Sequence, residues 1–304
     1  MRHATETGTP TQSSLSPVVS FDDTLKATQA TMDFTCLLAA LLFMVANFLL
    51  LVFYAKENNR DHYDDYTHEN LDSEYLQKEW DFRNKHRPMF LTAGLINGLA
   101  WFSFCFPIIQ LAWILSHRGS KSLWLHIAIA ILALAGSFTE WISRFLYIGA
   151  SMASQILVAN FDLDNWISTD SADEIGWKAL EVTYFITQGL IWFVDAFEWI
   201  ALSLILFLVH ISVRRYRVFD SITFGACWNN VGLFIALLSL LDFVAEVLRL
   251  DGFKLFGPIA FWYAAVNRLI LLPFWLLMLG TRLPYAAEKL RVESNTNAPT
   301  HALE

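Results

Sequence analysis

The chain has 304 residues, of which 55% are hydrophobic and 16% charged, with a mean hydropathy of +0.41 and a formal net charge of −8. A soluble domain carries about 25% charged residues, and the apolar residues here come in long blocks, so the composition excludes an ordinary soluble protein. The acidic balance excludes nucleic acid as a partner, which requires a basic patch.

In chain order, 1–33 is polar and rich in Ser and Thr, and is expected to be a disordered tail. Its lack of an apolar centre excludes a cleavable secretory signal. The membrane domain is expected over 34–279, as an all-α bundle with six transmembrane helices and a charged interior. A span of about 20 apolar residues crosses a bilayer, and the apolar blocks place spans at about 35–54, 90–115, 123–148, 182–209, 222–248 and 257–279. Residues 280–304 form a polar C-terminal tail.

Between the first two spans, Ala55 to Pro88 holds nine acids and six bases with interleaved aromatics. Its second half, Ser73 to Arg87, has the pattern of an amphipathic helix that lies against lipid headgroups, and the loop as a whole is a candidate docking site for a protein partner. The second span contains Gly94-Leu-Ile-Asn-Gly98, a spacing that lets two helix backbones approach closely. After the third span, 150–161 reads as a helix extension or a re-entrant piece. The acidic run Asp162 to Glu174 lacks the glycine and the final Glu that a calcium loop needs, and reads as a solvated loop.

Six spans put both termini on one side of the membrane. That side carries ten Lys and Arg against eight on the other, and five against two in the short connections. The positive-inside rule therefore predicts cytoplasmic termini. Whether the membrane is the plasma membrane or an endomembrane is not encoded in these features.

The informative residues are ionisable groups inside the spans, which are costly in lipid and face the bundle interior. There are five acids and three arginines: Glu140 and Arg144 in the third span, Asp195 and Glu198 in the fourth, Asp242, Glu246 and Arg249 in the fifth, and Arg268 in the sixth. Glu140 and Arg144 stand at the helical ion-pair spacing i, i+4. Glu181, Gln188 and Asp195 recur every seven residues and mark a polar stripe. Counting depth from the helix ends places Asp195 and Arg268 near the midplane, beside Asn267. This pattern predicts a polar cavity that narrows at Asp195, with Arg268 as its counter-charge, Asn267 alongside and Glu198 as a secondary site. Glu140, Arg144, Asp242, Glu246, Arg249 and Gln188 are expected to line the cavity or form ion pairs. Trp192, Trp199, Trp262 and Trp275 are candidates for lining it, against the commoner role of aromatic packing.

No mid-membrane lysine exists for a retinal Schiff base, and no P-loop, GxSxG or HExxH occurs. The three cysteines form no CxxC or Cys/His cluster, so neither a metal nor another cofactor is expected. The run Trp192-Phe-Val-Asp195-Ala-Phe-Glu198 through His210 resembles a span of fungal lipid-translocating, resistance-associated membrane proteins. It covers under a tenth of the chain, the six spans depart from their seven, and no residue roles follow from it. The reading that results is a transporter or channel for a small solute or ion, coupled to protons or cations through the intramembrane acids. The alternatives are a receptor-like or scaffolding protein whose charges are structural, and then a lipid-modifying enzyme.

Overall fold

The computed structural model describes residues 21–55, 85–116, 123–160, 171–216, 225–250 and 255–281, all helical apart from short turns. Six of its helices are long and apolar enough to cross a membrane, so the protein is a multi-pass integral membrane protein. The helices are α1 (Phe21–Ala55), α2 (Arg87–Ser116), α3 (Leu123–Asn160), α4 (Ser171–Tyr216), α5 (Gly225–Leu250) and α6 (Phe256–Val266). The sixth span continues from α6 through a π-helical turn, Asn267–Leu271, into α7 at 272–281.

Two helix starts differ from the sequence expectation, and one helix end decides between two readings of it. Helix α1 begins at Phe21, so 21–33 is helix and not tail. Helix α3 runs on to Asn160, which makes 150–160 a helix extension. Helix α4 starts at Ser171, eleven residues before the apolar block at Val182. Ala, Lys, Leu and Glu in 171–181 favour helix by their intrinsic propensity. Most of the Ala55–Pro88 loop, including nearly all of the amphipathic stretch, lies outside the described residues, as does 162–170 of the acidic run.

Each span packs against its neighbours in sequence, and the sixth returns to the first. The closure is tight: a Cβ on Gly280 would lie 3.0 Å from the Cβ of Cys36. The six spans therefore form a sequential ring, with Asp33 and Gly280 at the same end. The helices are inverted relative to those of a soluble protein. On α3, Ile131, Leu134, Phe138, Phe145 and Leu146 are exposed while Ser137, Glu140 and Ser143 are buried. Lipid is as apolar as leucine, so bulky apolar side chains can face it while small and polar residues join the helix contacts.

The ring interior is filled by aromatic residues in edge and stacked contacts, with Phe43 against Trp101 at 5.0 Å and Trp228 stacked on Trp275 at 4.9 Å. Two close approaches set the register around the charges. Gly94 and Gly98 meet Ile148 and Trp141, so the GxxxG seats α2 on α3. A Cβ on Gly136 would stand 3.0 Å from that of Ala201, which fixes how α3 and α4 slide past one another.

Candidate functional site: a buried charge cluster below a six-span cavity

The α3–α4 register brings two acids and an arginine into one layer. Ser143 Oγ donates to Asp195 Oδ1 at 2.7 Å, and Arg144 Nη2 lies 3.4 Å from Asp195 Oδ2. Arg144 Nε also donates to Glu140 Oε1, as the i, i+4 spacing predicts. The same Glu140 oxygen accepts from Asn97 Nδ2 of α2 at 3.2 Å. One guanidinium thus bridges the third and fourth spans, and one amide ties in the second.

The second arginine closes the cluster from the sixth span. Arg268 Nη2 donates to Glu198 Oε1. Its guanidinium also sits over the Trp199 ring, 4.5 Å from the centroid, with the Trp101 ring at 5.8 Å, a cation–π arrangement that is stronger away from water. The π turn positions it. Leu272 N–H bonds to Asn267 O, a five-residue step in place of the usual four, and both Asn267 and Arg268 are buried. Single π turns of this kind occur frequently at functional sites.

Here the structure corrects the expected pairing. The counter-charge of Asp195 is Arg144, whereas Arg268 belongs to Glu198. Asp195 is level with Ser143 and Arg144, and Glu198 lies one helical turn deeper into the bundle. Asn267 is adjacent in sequence to the cluster, yet its amide donates to Ser239 of α5 at 3.0 Å. Asp242, one turn on from Ser239, is fully buried on α5. The side chains of Gln188, Trp192 and Arg249 lie outside the described residues. Trp262 is 61% exposed and faces outward, and Trp275 is packed on Trp228, so of the three tryptophans among the described side chains Trp199 is the one on the cavity wall.

That cavity has a volume of about 140 Å³ and is walled by all six spans. Asn47, Phe90, Tyr147, Glu246 and Phe261 border it, and Arg144, Asp195, Trp199 and Arg268 stand at its charged inner end. Most of its wall comes from the span ends opposite to Asp33 and Gly280. Asp195 is 23% exposed, whereas the side chains of Glu140 and Glu198 are fully buried behind the two arginines. Asn97, Ser143 and Trp101 were not singled out from sequence. Asn97 alone carried a signal, as an amide inside the GxxxG run.

Glu140, Asp195 and Glu198 each offer an oxygen, all within 4.8 Å of one another. Two guanidiniums reach into the same group, so most of the charge balance is met by the chain itself. The chain matches no family model, no curated protein and no solved structure. The resemblance of the 192–210 run therefore rests on that run alone.

Proposed function

We propose that this protein moves a small polar solute or an ion across its membrane, with Asp195 as the cavity-facing proton or cation site. The observation that carries this reading is the cavity itself, which draws on all six spans and reaches from the bundle end to buried charges. Such a cavity brings water to one side of a charged barrier, the geometry a carrier or gated channel needs. Intramembrane ionisable residues also mark solute pathways and proton relays more often than they serve as inert fillers. In this reading Asp195 exchanges protons or cations with the cavity, and Arg144 and Arg268 hold the barrier closed. The termini are assigned to the cytoplasm from the Lys and Arg distribution.

A second reading has one specific observation in its favour. The Arg268–Glu198 and Arg144–Asp195 pairs both join different spans, as charges that only lock helices together would. Flux separates the two. Purified protein in liposomes is predicted to dissipate a proton or cation gradient, and Asp195→Asn is predicted to abolish that flux while leaving the melting temperature near that of the wild type. No flux from the wild type across a pH gradient and several cations sinks the transport reading and favours the scaffold.

A further inference from the structure

Charge counting in the cluster leaves a remainder. Three carboxylates, Glu140, Asp195 and Glu198, face two guanidiniums, Arg144 and Arg268, so one negative charge is unbalanced, and of the three acids Glu140 and Glu198 are fully buried. Two buried carboxylate oxygens are also left without a partner. Glu140 Oε2 and Glu198 Oε2 are both buried with no hydrogen-bond partner, although the other oxygen of each side chain is well bonded. One oxygen of each carboxyl lies within 4.8 Å of one of the other. Two buried acceptors cannot satisfy one another, whereas one proton between them satisfies both and removes the surplus charge.

We propose that Glu140 and Glu198 share one resident proton across the α3–α4 interface, the O–H of one donating to the carboxylate oxygen of the other. The surroundings are consistent with this from every packed element. Helix α3 supplies Arg144 beside Glu140, α4 supplies Asp195, and the sixth span supplies Arg268. Helix α2 presents the neutral Asn97, whose Oδ1 is itself buried and unpartnered. Helix α5 carries Asp242 and Glu246, each with interactions of its own. Asp195 is the exposed member of the three, so a proton enters from the cavity at Asp195 and is stored at the pair behind it. That the stored proton drives transport rests on the function proposed above; its existence does not.

Infrared absorption of the full-length protein in membranes tests it, because a protonated carboxyl has a C=O stretch that a carboxylate lacks. At neutral pH the wild type is predicted to show this band, and the band is predicted to shift on ¹³C-labelling of glutamate carboxyls but not of aspartate. This reading needs no variant. Glu140→Gln and Glu198→Gln should each remove the band, Glu246→Gln should retain it, and Arg268→Gln should raise it about twofold, since a second acid then lacks a counter-charge. No band at neutral pH, a band that follows the aspartate label, or one bound metal ion per chain in place of the band overturns the proposal. A glutamate band in protein that carries no proton flux keeps the shared proton and removes its role in coupling.

Discussion

Replacing Arg268 with leucine is expected to destabilise the protein by about 3–5 kcal/mol, the typical cost of removing one partner of a buried ion pair. Glu198 is fully buried, and its Oε1 has Arg268 as its partner. The substitution strands that carboxylate and also empties the site above Trp199. Arg268→Lys is expected to fall between wild type and leucine, because an ammonium restores charge but not the planar face that stacks on the ring. Melting in detergent or unfolding in mixed micelles reads all three. A loss below about 1 kcal/mol, the range of unremarkable substitutions, contradicts the pairing.

Trp199→Ala should cost a similar amount, about 3–5 kcal/mol for a buried tryptophan. Trp199 is 2% exposed and serves twice, as the ring beneath Arg268 and as part of the cavity wall. Trp199→Phe retains an aromatic face and should lose clearly less. The alanine variant should also enlarge the cavity, so a small apolar probe molecule is expected to protect it against thermal unfolding more than it protects the wild type. Equal melting of the alanine and phenylalanine variants would show that packing volume and ring contact with the guanidinium do not matter here.

The spans were legible because lipid imposes a length and an apolarity that few other structures require, and Glu140–Arg144 was legible because its partners sit on one helix. Pairing between helices was not. Asp195 and Glu198 differ by three residues, about 4.5 Å along a helix axis, and sequence spacing alone cannot decide which of them Arg268 reaches. The decision rests on two features with no periodic signature. One is the Gly136–Ala201 contact that sets the α3–α4 register; the other is the π turn at Asn267–Leu271 that buries two adjacent polar residues. The early starts of α1 and α4 were missed for a different reason. Apolar blocks report where lipid begins, whereas 21–33 and 171–181 are polar enough to continue as helix beyond it.

The most direct test of the charge-cluster account is a double-mutant cycle on Glu198 and Arg268, with stability and proton flux measured on the same preparations. The account predicts that Glu198→Gln combined with Arg268→Leu is more stable than Arg268→Leu alone, since the stranded carboxylate is gone, while flux in both departs from that of the wild type. Additive stability losses would mean that the two side chains do not depend on each other, and wild-type flux in the double variant would mean that the pair is not part of the conducting path.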